Sequence, residues 1–197
     1  RRRFRVNIND VDDIVVLARG GNDRVSVATD IVIPLTADGG AGRDTLSGGS
    51  GADLLFGGSG KDRISGRNGN DILIGGDDND LLRGGSGDDQ LYGNGGNDVL
   101  NGGRGNDTIS AGMGNDVALG GSGNDLIDGG AGDDRLRGGS DDDAIRGGIG
   151  NDFLNGNAGS DQLDGDDSED TLRGDAATDL DGLFADIEEW DQLILPW

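Results

Sequence analysis

The feature that most constrains this chain is an aspartate that recurs at every ninth residue from Asp44 to Asp179 without a slip. We number each unit so that this aspartate stands at place 6. A large aliphatic residue then falls at place 8 of nearly every unit, and glycine opens every unit except the one that begins with Ala111. Glycine is also frequent at places 2 and 4. Self-similarity at a short fixed period predicts stacked repeats.

The repeat can be interpreted physically as a turn followed by a short strand. Glycines at places 1, 2 and 4 permit positive φ and close backbone approach, so we expect places 1–6 to form the turn. Places 7–9 are long enough for a very short strand, whose middle residue at place 8 points inward. Two units make one coil, with a strand on each side and a turn at each end. The sequence therefore predicts an all-β fold, a parallel β-roll (β-solenoid) of about eight coils.

Composition and charge exclude several classes of function. The chain has 39 acidic and 16 basic residues and a formal charge of −23, which argues against binding to nucleic acid or an anionic membrane. It contains no His and no Cys, so a Ser/His/Asp triad, a zinc–thiolate site and a thiol nucleophile are all excluded. No apolar run approaches the length of a membrane span. We therefore expect no enzyme activity within these residues.

The same pattern predicts a metal. One buried aliphatic side chain per nonapeptide makes a thin core, and glycine-rich turns are costly to order. The turns also stack acidic groups above one another, so each edge of the solenoid repels itself. A cation bound by oxygen ligands offsets both effects. Calcium suits carboxylate and carbonyl ligands in adaptable geometry better than magnesium does.

The pattern G-G-x-G-x-D-x-U-x, with U a large aliphatic residue, resembles the RTX (repeats-in-toxin) or hemolysin-type calcium-binding nonapeptide repeat family over residues 39–173. Residues 174–182 keep Asp179 but place Asp181 where the aliphatic belongs, so they are interpreted as a decayed last unit. Residues 20–25 look like a half-unit outside the main register.

The resemblance implies a calcium ion between the turns of successive coils, with ligands two units apart. Carbonyls of places 2 and 4 and the aspartate of one turn are joined by carbonyls of places 1 and 3 and the aspartate of the next. We expect about 10–13 ions. The implied ligands are Gly40, Gly42, Gly49, Gly51, Gly58, Gly60, Gly66, Asn68, Gly75 and Asp77, with Asp44, Asp53, Asp62, Asp71, Asp80, Asp89, Asp98, Asp107, Asp116, Asp125, Asp134, Asp143, Asp152, Asp161 and Asp170.

Within this ligand set, the resemblance implies two sites residue by residue. On one edge, Gly49, Gly51 and Asp53 join Gly66, Asn68 and Asp71. The neighbouring site on the other edge takes Gly58, Gly60 and Asp62 with Gly75, Asp77 and Asp80. Each interior aspartate then serves two ions.

The two ends of the chain do not follow the nonapeptide pattern of the repeats. We expect residues 1–38 to form irregular β coils or an N-terminal cap, with a separate folded domain as the alternative. The resemblance implies that residues 39–182 form the RTX nonapeptide β-roll. Residues 183–197 form a C-terminal cap or a tail that resembles an export signal, because Leu183, Phe184, Ile187 and Trp190 follow a capping or helix-like spacing.

One outer face carries an apolar stripe at places 7 and 9 of alternate units. It consists of Leu54, Phe56, Ile72, Ile74 and Tyr92. The stripe receives the N-terminal segment or a protein partner, or else it is ordinary cross-strand packing on a partly exposed sheet.

The resemblance implies a secreted bacterial RTX module that binds calcium and folds outside the cell, where calcium is abundant. Type I export is suspected on the same ground. Two alternatives stay open: an extracellular adhesion or interaction spacer, and a non-catalytic appendage of a larger RTX hydrolase.

Overall fold

A computed structural model describes residues 11–174 and the backbone of Gln192–Ile194. Every regular element in this part of the chain is a β-strand. The strands are β1 Ile14–Leu17, β2 Arg24–Ser26, β3 Leu35–Ala41, β4 Thr45–Ser47, β5 Leu54–Ser59, β6 Arg63–Asn68, β7 Ile72–Asp77, β8 Leu81–Ser86, β9 Gln90–Gly95, β10 Val99–Arg104, β11 Thr108–Met113, β12 Val117–Ser122, β13 Leu126–Ala131, β14 Arg135–Ser140, β15 Ala144–Ile149, β16 Phe153–Ala158, β17 Gln162–Asp167, β18 Thr171–Arg173 and β19 Gln192–Ile194.

The strands form two parallel sheets that alternate along the chain. The odd-numbered strands from β1 to β17 make a nine-stranded sheet, and the even-numbered strands with β19 make a ten-stranded one. Leu55 pairs with Leu73 and Leu73 with Leu91, so each regular coil advances the chain by two nonapeptides. The predicted all-β, parallel β-solenoid is confirmed, with about nine coils.

The strands are longer than the expected three residues. In the regular coils they cover six residues, such as Leu54–Ser59, which are places 7–9 of one unit and places 1–3 of the next. Pairing lapses at place 1 and resumes with Gly58 opposite Gly76. Backbone hydrogen bonds need no side chain, so glycine at places 1 and 2 does not end the ladder. The turn shrinks to places 4–6.

The core lies between the two sheets and is one side chain deep on each side. Place 8 points inward as predicted, with Leu55, Leu73 and Leu100 fully buried and Ile64 2% exposed. Val16 and Val25 of the first coil pack against this core but are only partly buried. The core is therefore a double column of single aliphatic residues.

The first coil is longer than the others. Asp23 stacks on Asp44 at a separation of 21 residues, whereas Asp44 stacks on Asp62 at a separation of 18 residues. Ile14 pairs with Leu35 and Arg24 with Thr45, so the three additional residues lie in the segment between β2 and β3. Once this insertion is allowed, residues 20–25 stack under residues 41–46. Their interpretation as a half-unit outside the sequence register agrees with this offset of three residues, and the structure adds that their turn and strand stack in line with the main repeat.

At the other end, β19 pairs in parallel with β18, with Thr171 opposite Gln192. Leu183, Phe184, Ile187, Trp190 and Asp179 lie outside the described residues, and the three domain boundaries stay predictions.

The apolar stripe is in register, because Leu54 pairs with Ile72, and Phe56, Ile74 and Tyr92 follow one another. No helix in the described part of the chain is long and apolar enough to cross a membrane.

Candidate metal centre

The repeating aspartates form two stacks, one along each edge of the solenoid. Each of those predicted as a ligand is almost completely buried, the most exposed being Asp80 at 4%. From Asp44 to Asp152, the backbone N–H of each donates to Oδ1 of the aspartate 18 residues later, at 2.6–3.0 Å. One carboxylate oxygen therefore ties each turn to the next.

The second carboxylate oxygen has a different environment. Oδ2 is buried without a hydrogen-bond partner in Asp44, Asp62, Asp71, Asp80, Asp89, Asp98, Asp107, Asp116, Asp125, Asp134, Asp143 and Asp152. A buried carboxylate oxygen without a donor is costly. A cation within reach of these oxygens removes that cost, so the residues present fit a metal.

Glycine at place 1 leaves the space around Oδ2 open. A Cβ at Gly147 would lie 2.6 Å from Oδ2 of Asp152 and 2.9 Å from the carbonyl oxygen of Gly165 in the next coil. The same crowding occurs at Gly57, where the carbonyl oxygen of Gly75 would lie at 2.6 Å. Place 1 is therefore glycine for space, and its φ is not left-handed.

Places 2 and 4 need glycine for conformation instead, except in the irregular turn of Gly49 and Gly51, whose φ is not positive. Gly58 and Gly60 both have φ of 109°. Where another residue stands at these places, φ is still positive, as at Asp78 (72°) and Asn94 (73°). Asp and Asn tolerate this region better than most residues do. The turn geometry is therefore kept even where glycine is lost.

The backbone carbonyls expected as ligands face the gaps between turns. The carbonyl oxygens of Gly40 and Gly42 lie close to the next coil, where they would be 1.9 Å and 2.1 Å from a Cβ at Gly58 and Gly60. The carbonyl of place 3 points back, since that of Asp77 accepts the N–H of Gly60 at 3.2 Å. Oxygens from two turns therefore converge on each gap.

The second of the two sites described above is brought together in this way. Asp62 donates its N–H to Oδ1 of Asp80 at 2.7 Å. Gly58 and Gly60 lie below this gap, and the carbonyls of Gly75 and Asp77 face it from above.

The first site is less regular. Asp53 donates its N–H to Oδ1 of Asp71 at 2.8 Å, and the carbonyls of Gly51 and Gly66 face the gap. However, Oδ2 of Asp53 accepts the N–H of Gly49 at 2.8 Å, and β4 ends before this turn. Asn68 lies exposed in β6. This gap has the predicted residues, but of its two aspartates only Asp71 has an unpartnered Oδ2.

Side chains alone do not make a metal site here. No group of three or more carboxylates in the described residues is placed to hold an ion. Each gap brings two aspartates together, and any ion must complete its ligands with carbonyl oxygens. Calcium accepts such a mixed set.

Burial raises the pKa of the stacked aspartates from Asp62 to Asp152. The pKa of Asp80 rises to about 7, first because burial disfavours the charged form and then because Asp98, Asp62 and Asp78 lie nearby. The pKa of Asp143 also rises to about 7, and that of Asp107 to about 6, with burial again the largest cause. A bound cation acts in the opposite direction and favours the ionised form.

Two features were missed from the sequence. The first is Asp23, whose N–H donates to Oδ1 of Asp44 at 2.6 Å and which therefore extends one aspartate stack by a coil. The second is a ladder at place 5, where the side-chain oxygen accepts the N–H of the same place one coil later. Asn97 accepts from Asn115 at 3.0 Å in this way. The frequent Asn or Asp at place 5 was the available signal.

Comparison with known families identifies the chain. Four consecutive copies of the RTX calcium-binding nonapeptide repeat match residues 38–73, 74–109, 110–145 and 146–180. Comparison with curated proteins gives no match. The match spans most of the chain, which therefore belongs to the family of RTX calcium-binding repeats and is a calcium-binding β-roll module.

Proposed function

We propose that this module takes up calcium in the gaps between successive turns, and that calcium orders the coils after the chain has left the cell. The observation that carries the proposal is the stack of buried carboxylates whose Oδ2 atoms have no hydrogen-bond partner. Without a cation these charges face one another across each gap. The gain from binding a metal is therefore coupled to folding.

The proposed ligands are the aspartates and turn carbonyls described above, with about 10–13 ions in all. Bound calcium would supply positive charge between aspartates such as Asp89 and Asp107. Asp89 and Asp107 would hold it through their carboxylates, and the glycines of places 1, 2 and 4 would leave room for the carbonyls. The paired Oδ1 atoms keep the turns in register.

A calcium titration at pH 8, where the stacked aspartates are ionised, followed by far-ultraviolet circular dichroism tests this function. We expect strand signal and compactness to appear with calcium, to need far more magnesium, and to vanish with a chelator. A metal-free chain that is already compact and unfolds cooperatively would refute the proposal. Mass spectrometry under native conditions gives the number of ions.

We also propose that the module is secreted and has a structural rather than a catalytic role. The family is typical of secreted proteins, and the chain contains neither His nor Cys. As an appendage of a larger hydrolase, it would serve as its calcium-dependent folding unit. Detection of the protein in the culture medium of cells that express it, and its absence there after the export machinery is deleted, tests secretion.

An interaction role is the second candidate, favoured by the apolar stripe on the nine-stranded sheet. Leu54, Phe56, Ile72, Ile74 and Tyr92 are all partly exposed on one outer face. We expect the double substitution Phe56→Ser, Ile74→Ser to change the oligomeric state or the calcium-dependent folding. Leu126→Ser is the control, because Leu126 is 54% exposed on the same sheet outside the stripe. If the double variant behaves like the control, the stripe has no such role.

A further inference from the structure

The two edges of the first coil are built differently. On one edge, Asp23 occupies the aspartate position and donates its N–H to Asp44. On the other edge this position is taken by Leu35, whose N–H donates to Oδ1 of Asp53 at 2.7 Å just as an aspartate's does. The Leu35 side chain is fully buried. A calcium ion between this turn and the next would therefore lack one of its two carboxylates.

A guanidinium lies at this same edge. Arg67 is in β6, two coils further on, at a place where most units have glycine, and its φ is 83°. Its Nη1 donates to the carbonyl oxygens of Val27 and Gly48, both at 2.7 Å. Val27 belongs to the first coil and Gly48 to the second. The side chain therefore runs across two coil boundaries to reach the end of the stack.

The carbonyl of Gly48 is at place 1, which is one of the positions expected to face a calcium ion. Here it faces Arg67 instead. The neighbouring turn has adapted as well, because Oδ2 of Asp53 accepts the N–H of Gly49 and is not left without a partner. Arginine keeps its charge at every physiological pH and donates several hydrogen bonds in one plane.

We propose that the Arg67 guanidinium is a fixed cation that takes the place of calcium at the N-terminal end of this edge. The inference rests on the proposed function. It goes further in assigning one turn gap to a side chain of the protein. The first coils then need less calcium to become ordered than the coils in the middle of the solenoid, and ordering starts from the N-terminal end.

Hydrogen exchange measured across a calcium titration of the full chain tests this assignment. In the wild type we expect amides of β2 and β4 to become protected at a several-fold lower calcium concentration than amides of β12 and β14. Arg67→Gly removes the guanidinium and relieves the positive φ, so local strain falls. We nevertheless expect it to abolish the difference by raising the calcium concentration needed by β2 and β4.

Arg104→Gly is the matched control. Arg104 is exposed at place 3, where another unit has Gly95, and its loss changes the net charge equally. We expect this variant to keep the wild-type difference and Arg67→Lys to restore part of it. Equal calcium requirements at both ends of the wild type, or an Arg67→Gly variant identical to Arg104→Gly, would overturn the assignment. Failure of the proposed function is distinguishable, because no amide in β12 would then respond to calcium.

Discussion

The first coil and the coils that follow it share one backbone scaffold but differ in chemistry. Ile14 pairs with Leu35 in the same parallel ladder that joins Leu55 to Leu73. Yet the first coil is three residues longer and has a partly buried Val25 and a leucine in place of one aspartate. The strand ladder therefore does not require an aspartate in every turn. The buried carboxylates of the regular coils are an added electrostatic cost, which a cation offsets.

The largest expected difference between the two regions is in their response to pH without calcium. The raised pKa values, about 7 for Asp80 and Asp143 and about 6 for Asp107, lie above the ordinary aspartate value of 3.8. Between these values the folded state binds more protons than the unfolded state. The free energy of unfolding therefore falls as pH rises from about 4 to 7.

Hydrogen exchange in chelator at pH 5 and pH 8 measures this effect. We expect the regular coils to lose more protection at pH 8 than the first coil, where Leu35 carries no charge. A higher calcium concentration should be needed to order the regular coils at pH 5, because protons compete with calcium for the same oxygens. Equal loss in both regions would mean that the stacked carboxylates do not govern the metal-free state.

Core truncation should also separate the regions. Leu100→Ala removes a fully buried side chain from the thin core, and we expect a loss of about 2–5 kcal/mol in the calcium-loaded form. Val25→Ala in the first coil should cost less, since Val25 is only partly buried. Denaturant unfolding at saturating calcium gives both values. Similar losses at the two positions would contradict the difference in packing.

Substitutions at place 6 test the electrostatic difference between the first coil and the regular coils directly. Asp107→Asn keeps the oxygen that accepts the N–H of Asp89 but removes the charge. We expect a several-fold higher calcium midpoint and a smaller fall of the strand signal between pH 5 and pH 8 in chelator, because a buried unpartnered charge is gone. Leu35→Asp should do the reverse and destabilise the metal-free first coil. Circular dichroism in calcium and in chelator measures both variants.

The smallest effect is expected at place 5, where the two regions are alike. Oδ1 of Asn106 accepts the N–H of Asn124 at 2.8 Å, and that of Asn22 accepts the N–H of Arg43 at 2.9 Å. Replacement of either by Ala should cost about 0.5–1 kcal/mol in thermal unfolding. A much larger effect at Asn106 would show that this ladder contributes to the calcium sites.

The sequence predicted those parts of the fold that depend on side chains repeated at every ninth residue. Asp53 and Leu55 each recur once in every nonapeptide, so their burial and stacking followed from the pattern. The longer strands were missed, because Gly57 and Gly58 extend the ladder through backbone bonds that leave no pattern in the side chains. Segment 27–34 falls within the irregular coils expected for residues 1–38, but its three extra residues were not located, because they move the preceding unit out of phase.

The candidate site was predictable in its ligand types but not in its exceptions. In the structure, glycine at place 1 provides space, whereas glycine at places 2 and 4 permits a positive φ. The sequence shows glycine at all three places and does not distinguish these two roles. The contact of Arg67 with Val27 joins residues 40 positions apart. No local pattern contains that information. The contact follows from the stacking of the irregular first turn beneath the regular ones.

The alternation of strands between two sheets has a consequence for how such an array can change in length. Loss of a single nonapeptide would send every later unit to the opposite sheet, so Leu54 and Ile72 would no longer lie side by side if the deletion fell between them. Loss of two nonapeptides would return each later residue to its own face. Duplications and deletions of an even number of nonapeptides therefore preserve both outer surfaces. Those of an odd number change which residues lie on each surface.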